Sequence, residues 1–224
     1  SPVKSQRIFL TGASSGIGAA TARLLAQKGH RVLLISRDLS AMKSWAESEG
    51  NAHVLMHEGD TTDPESMRLA AEVMMHQWGG IDVCIPNAGV GIFSPLAEAN
   101  LSDWHRMIDV NIKGVLNGLH ACLDSLLENK GQVIQIGSVA ARNVFPNSGV
   151  YCATKHAVLA LSESLRIEFR DRLAVTTINP GAVNTAFIDQ TTNLELRESY
   201  RPTFDQGMAP EFIAEAIVLA IESK

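Results

Sequence analysis

Arg7-Ile8-Phe9-Leu10-Thr11-Gly12-Ala13-Ser14-Ser15-Gly16-Ile17-Gly18 decides the fold. A short apolar run leads into a turn of glycines and small residues, and an amphipathic helical pattern follows at once. A buried strand, a glycine-rich turn and a helix in this order are the opening of a nucleotide-binding α/β unit. Gly12, Ser14, Ser15, Gly16 and Gly18 let the backbone approach a pyrophosphate. The helix that opens near Ile17 offers free N–H groups and the positive end of its dipole. A structural corner with no ligand would carry the same glycines, so the function rests on what lies downstream.

Working outward, short apolar runs alternate with helix-length segments along nearly the whole chain. Strands are expected at Arg7–Thr11, Arg31–Ser36, Ala52–Glu58, Ile81–Pro86, Gln132–Ser138 and Ala174–Asn179. Their nearly unbroken apolar character, as in Val32-Leu33-Leu34-Ile35, suits strands covered on both faces of a parallel sheet. Helices are expected at about 16–28, 39–49, 64–78, 101–129 and 150–171, with a last one from Pro210 to about Ser223. Gly29, Gly50, Gly79 and Gly131 stand where carboxy-terminal helix caps belong, and Asp63-Pro64 and Ser102 read as helix starts. The pattern predicts a Rossmann-like α/β fold: one doubly wound parallel sheet of six or seven strands flanked by helices on both faces. Without a linker or repeat, residues 1–224 read as a single domain. A long polar segment at about 181–207, with a short helix at Asn193–Tyr200, reads as a lid or binding loop.

With 46% hydrophobic and 19% charged residues among 224, the chain can bury a substantial core. Its formal net charge of −5 gives no electrostatic reason to expect nucleic acid or an anionic membrane as partner. Neither a transmembrane-length apolar run nor a signal-peptide core at the amino terminus is found. Cys84, Cys122 and Cys152 lack C-x-x-C spacing and read as reduced thiols of a cytoplasmic protein. The histidines form no metal site: His53 and His57 share a face of the third predicted strand but lie roughly 13 Å apart by strand rise. Met67, Met74 and Met75 fit helix packing.

Tyr151-Cys152-Ala153-Thr154-Lys155 is the second informative stretch. A tyrosine and a lysine four residues apart on a helix share one face. The ammonium would then favour the phenolate and draw the tyrosine pKa down toward that of a working acid–base. Taken alone the spacing is weak, because ordinary amphipathic helices also produce it.

Its company is specific. The spacing T-G-x-x-x-G-x-G at Thr11–Gly18, Asn87-Ala88-Gly89 after the fourth strand, Ser138 at the end of the fifth and Y-x-x-x-K on the next helix resemble the classical short-chain dehydrogenase/reductase family. Pro86 stands where that family's motif more often has asparagine. The resemblance implies a catalytic set of Asn111, Ser138, Tyr151 and Lys155. In this scheme Tyr151 exchanges a proton with the substrate oxygen, Lys155 keeps it acidic and bonds the nicotinamide ribose, and Ser138 orients the substrate oxygen. Asn111 helps order a water that relays protons. Each also has a plainer reading: Ser138 as a turn cap, Asn111 as a buried tie between elements, and Lys155 as a surface charge. Cofactor contacts are implied for Asp60 at the adenine, with Thr61 beside it, for Asn87, Ala88 and Gly89, and for Pro180, Gly181, Val183 and Thr185 after the sixth strand.

At the tip of the second strand the acid that selects NAD(H) in the family is replaced by Ser36, and Arg37 follows. A guanidinium suits a 2′-phosphate, so NADP(H) is the expected cofactor. Asp38 keeps NAD(H) open as the alternative, since it lies at a suitable distance beyond the last glycine. The expected substrate is a small carbonyl or alcohol, held in an apolar pocket of Val90–Pro95, Val139–Ser148 and the long loop, with Ile92, Phe93, Val144, Phe145, Phe187 and Ile188. Arg142 reads as a solvent-facing residue rather than an anchor for an acidic substrate. By resemblance, helices 101–129 and 150–171 pair two copies into a homodimer, and a tetramer stays open because the family's last strand does not follow. The rival function is a non-catalytic NADP(H)-binding sensor on the same fold.

Overall fold

The computed structural model describes residues 3–224. Its strands are β1 (Arg7–Thr11), β2 (Arg31–Ser36), β3 (Val54–Glu58), β4 (Val83–Ile85), β5 (Gln132–Ile136) and β6 (Ala174–Ile178). They form one sheet in the order β3-β2-β1-β4-β5-β6, and every neighbouring pair is parallel. The order reverses between β1 and β4, which opens a crevice at the carboxyl ends of those strands.

The helices are α1 (Gly16–Gln27), α2 (Lys43–Glu49), α3 (Pro64–Trp78), α4 (Leu101–Ile108), α5 (Gly114–Glu128), α6 (Gly149–Glu168), α7 (Leu194–Asp205) and α8 (Pro210–Glu222). Alternation along each strand divides the core in two. Ile8, Leu10, Val32 and Leu34 face one layer with Leu25 of α1 and Ile213 and Ile217 of α8. Phe9, Leu33 and Ile35 face the other with Met67 and Met74 of α3, Leu119 of α5 and Val158 of α6. Met75, expected to pack with them, is 43% exposed.

Several expectations change in detail. The single helix expected over 101–129 is broken by a π-turn at Asp109–Lys113. Asn100, not Ser102, stands at the N-cap of α4, whereas Asp63 caps α3 as expected, accepting from the Glu65 N–H at 3.0 Å. Gly79 ends α3 in the left-handed conformation. After α5 it is Lys130 that turns left-handed, and Gly131 serves another purpose: a Cβ there would lie 2.5 Å from the Asp82 carbonyl oxygen. β3 begins only at Val54, so His53 lies in the preceding turn and does not share a strand face with His57. Among the described residues no helix is long and apolar enough to cross a membrane.

Candidate functional site

The glycine turn is held from below by the strand beside it. Thr11, the last residue of β1, is buried, and its Oγ1 accepts from the backbone N–H groups of Asn87 and Ala88, both at 3.0 Å. Asn87 Nδ2 donates to the Gly12 carbonyl at 3.2 Å. The turn and the Asn87-Ala88-Gly89 segment are thereby locked across the reversal point of the sheet. Gly12 and Gly16 have φ of 63° and 53°, the left-handed region in which a side chain is strained. Gly18 is needed for close approach, since a Cβ there would lie 1.8 Å from the Gly12 carbonyl oxygen.

Ser15, at the N-cap of α1, makes no capping hydrogen bond. The first N–H groups of the helix therefore lack partners within it and open onto a cleft, the arrangement that receives a phosphate. That cleft has a volume of about 760 Å³ and runs from Gly12, Ser14, Ser15, Gly16 and Ile17 past Asn87, Ala88 and Gly89 to Ser138, Tyr151 and Lys155. Pro180, Gly181, Val183 and Thr185 line its other wall. A free helix amino terminus at one end and the Tyr151–Lys155 pair at the other fit an elongated dinucleotide.

Five other sequence-predicted residues stand beside the cleft rather than on its wall. Ser36, at the tip of β2, donates from Oγ to Ser14 Oγ at 3.0 Å, and Arg37 beside it is exposed. Asp60 accepts from the Thr62 N–H and hydroxyl, at 2.9 and 2.8 Å. Burial would raise its carboxyl, but these bonds and the charges of Arg106 and Arg37 leave it below the usual range. The Thr61 carbonyl accepts from Asn117 Nδ2 at 2.8 Å, which ties this loop to α5. Asn111 lies fully buried in the π-turn. Its Oδ1 accepts from the Val90 N–H, and its Nδ2 donates to the Val90 carbonyl and to Thr154 Oγ1, at 2.8, 2.8 and 3.2 Å. Two of these bonds hold the loop after β4 and the third holds α6, so Asn111 links the two through the π-turn.

Ser138 caps a single turn of 3-10 helix, accepting from the Ala140 N–H at 3.1 Å, so its own hydroxyl proton is left to donate into the cleft. One helical turn separates Tyr151 from Lys155 on α6, and the Lys155 nitrogen lies 5.7 Å from the centre of the phenol ring. Here electrostatics depart from expectation. Burial pushes the Tyr151 phenol up to about 12, against the Ser138 hydroxyl, which lowers it. Burial also brings Lys155 down to about 8. The sequence led us to expect an ammonium that makes the tyrosine more acidic. In the folded chain desolvation dominates both groups: Tyr151 is packed between Phe93 and Phe187, and Lys155 is buried behind it on α6.

Those rings were only partly foreseen. Phe93, Phe145 and Phe187 line the cleft as expected, but Ile188 is buried beneath it and Val144 points to solvent with 74% exposure. Ile92 and Arg142 are not on its wall. Residues 181–207 are more ordered than a bare loop: a 3-10 turn at Ala186–Gln190 is followed by α7, longer than the helix expected at Asn193–Tyr200. From this segment come Gln190, Tyr200, Thr203 and Phe204, lining residues that sequence reasoning missed. Tyr200 and Phe204, four apart in a polar helix, were the available signal.

Comparison with known proteins agrees with this geometry. A family model described as short chain dehydrogenase matches residues 6–195. An uncharacterized oxidoreductase of Staphylococcus saprophyticus is 37% identical over 223 residues, spanning 98% of this chain and 91% of its own length. The X-ray structure of an alcohol dehydrogenase from the archaeon Thermococcus sibiricus, complexed with 5-hydroxy-NADP, superposes with a TM-score of 0.85 at 32% identity, over 96% of this chain and 89% of the other. A short chain dehydrogenase/reductase of Burkholderia phymatum in complex with NAD, 23% identical, shares the fold with a TM-score of 0.91 over 100% of this chain and 88% of its own. This chain belongs to the short-chain dehydrogenase family of oxidoreductases.

Proposed function

We propose that the protein is an NADP(H)-dependent oxidoreductase that interconverts a carbonyl and an alcohol, with Tyr151 as general acid and base. The carrying observation is convergence: Ser138, Tyr151 and Lys155 meet at one end of a cleft whose other end is the free amino terminus of α1. The nicotinamide cofactor, when bound, supplies or accepts the hydride. Tyr151, protonated throughout the neutral range, donates the proton that the developing alkoxide needs. Ser138 donates from its free hydroxyl to the substrate oxygen and stabilises charge there. Lys155, on the cleft wall, would hold the ribose of the bound cofactor, and its charge would lower the cost of a phenolate at Tyr151 in the oxidative direction. Asn111 positions the loop after β4 and α6 relative to each other.

Cofactor choice is supported at β2. Ser36 brings no charge to the ribose, and Arg37 next to it is free to meet a 2′-phosphate. Asp38 accepts from the Ser40 N–H at 2.9 Å, so its carboxylate serves the start of the next helix rather than a ribose hydroxyl. The archaeal relative's 5-hydroxy-NADP points the same way. We further assign residues 181–207 as the substrate lid of a single domain. Two copies are proposed to pair through α4–α5 and α6, where Leu101, Leu116 and Ile167 are exposed. A single-subunit mass in light scattering would overturn that pairing. The three buried free cysteines suit a reducing compartment, and we place the enzyme in the cytoplasm.

The test follows NADPH absorbance with a panel of ketones and aldehydes, for wild type and Tyr151→Phe. Oxidation by wild type that falls by at least about a thousandfold in the variant is expected for loss of the proton donor. Persistence in Tyr151→Phe would remove Tyr151 from its role. NADPH binding without turnover on any carbonyl would favour the sensor.

A further inference from the structure

The far end of the cleft is built from aromatic rings on both walls. Phe93 stands edge-on to Tyr151, with centroids 5.7 Å apart, and Phe187 lies 5.8 Å from Tyr151 on another side. Tyr200 packs on Phe93 at 5.7 Å, and Phe204 on Phe187 at 6.2 Å. Phe187, Tyr200 and Phe204 all come from the lid.

This arrangement is held by side chains other than Ser138, Tyr151 and Lys155. Gln190 Oε1 accepts from the Gly91 N–H at 3.0 Å, and the fully buried Thr191 accepts from the Phe93 N–H at 3.1 Å. Asn147 Nδ2 donates to the Tyr200 hydroxyl at 3.2 Å. Any side chain at Gly91 would displace the Phe187 ring, since a Cβ there would lie 2.4 Å from it. The rings are therefore placed by the fold, not left to collapse into an empty pocket.

Charge completes the description. Among the described residues lining the cleft, only Lys155 is ionisable to a charged form near neutral pH, and none is a carboxylate. An anionic arm beside the carbonyl would lose its hydration among rings with no fixed partner but the lysine that serves the ribose. A cationic arm would gain from the ring faces but would share the space with the Lys155 ammonium. A small aliphatic arm would leave most of the ring surface uncovered. A flat, uncharged arm satisfies all three conditions.

Resting on the carbonyl-reducing reading of this site, we propose that the substrate class is ketones and aldehydes bearing an uncharged aromatic arm. That arm seats against Phe187, Tyr200 and Phe204, with Phe204 as a specificity-determining residue of the lid. Calorimetric titration of the Tyr151→Phe protein loaded with NADP+ reads this without turnover. The ligands are acetophenone, its para-carboxylate, its para-trimethylammonium analogue and acetone. Acetophenone is expected to bind at least about thirtyfold more tightly than either ionised analogue, from burial of an unpaired charge. Adding Phe204→Ala should weaken acetophenone about tenfold, the effect of one lost ring contact and its buried area, with the NADP+ affinity read alongside as the check on folding. Phe204→Glu should shift the preference toward the trimethylammonium analogue. Equal or tighter binding of an ionised analogue by the parent protein overturns the proposal, as does an acetophenone affinity indifferent to Phe204. Acetophenone binding that meets these expectations while wild type leaves NADPH unconsumed would keep the ligand class and overturn the reductase reading instead.

Discussion

Lys155 holds its charge where little water reaches it. With a pKa near 8 in the folded chain and the ordinary lysine value when unfolded, it binds its proton more tightly in the unfolded state. Stability therefore rises with pH from about 8 to about 10, and at neutral pH the charged lysine destabilises the fold by on the order of 3 kcal/mol. Lys155→Met is expected to raise Tm at neutral pH, to abolish that rise and to lose turnover; thermal unfolding at a series of pH values checks the first two. In the same residue's wild-type form, kcat/KM for reduction should fall above about pH 8 as Lys155 neutralises, with no limb from Tyr151 below about pH 12. Thr11 makes the complementary point about legibility. Its place at the end of β1 is plain in the sequence, but the two N–H groups it accepts from lie 76 and 77 residues downstream. No local pattern encodes such a bond. Thr11→Val, which keeps the shape, should cost about 2 kcal/mol by orphaning two donors and weaken cofactor binding, while Thr11→Ser retains both; chemical denaturation and cofactor titration separate the two effects.

Among the elements, strands and most helices were readable because burial on two faces and helical periodicity leave strong marks. The break at Asp109–Lys113 left none: one extra residue in a turn shifts the apolar stripe by less than sequence alone can distinguish. Yet that break is what seats Asn111 among Val90 and Thr154. Asn111→Ala is expected to lower stability by about 2–3 kcal/mol, since it strands the Val90 N–H and carbonyl away from water. A variant that unfolds like wild type in urea would show that the tie is replaceable. Helix α7 was underestimated for a different reason. Pro202 signals an ending, but it sits exposed near the last turn, where the carbonyl it leaves unpaired can be met by water. The bonds of Gln190 and Thr191 belong with Thr11: long-range side-chain to backbone contacts without a sequence signature.

In the whole molecule the doubly wound parallel sheet and the residues that resemble the family's four followed from patterns in chain order, whereas the strand order, the charge states and the ring-lined end depended on pairing and burial that only the folded chain defines. The opposite rim of the sheet lies away from the cleft. There Arg7 of β1 grips Asp82 ahead of β4 through its backbone N–H and guanidinium, at 2.9 to 3.0 Å, and reaches the Trp78 carbonyl at 3.0 Å. Burial would raise the Asp82 carboxyl, but Arg7 more than reverses this and holds it below the usual range. Its contribution is present above the ordinary carboxylate pKa and is lost as pH falls through the folded value. Asp82→Asn should lower stability by about 1–3 kcal/mol near neutral pH and by less in acid, read by thermal unfolding at both. Strands of about five residues set this rim roughly 15 Å from the crevice, beyond the range at which substitutions usually couple. A consequence for engineering follows. Changes that reinforce the Arg7 rim should add to changes in residues 181–207 with no cross-term, so thermal tolerance and ligand choice at the cleft can be evolved in separate libraries and then combined.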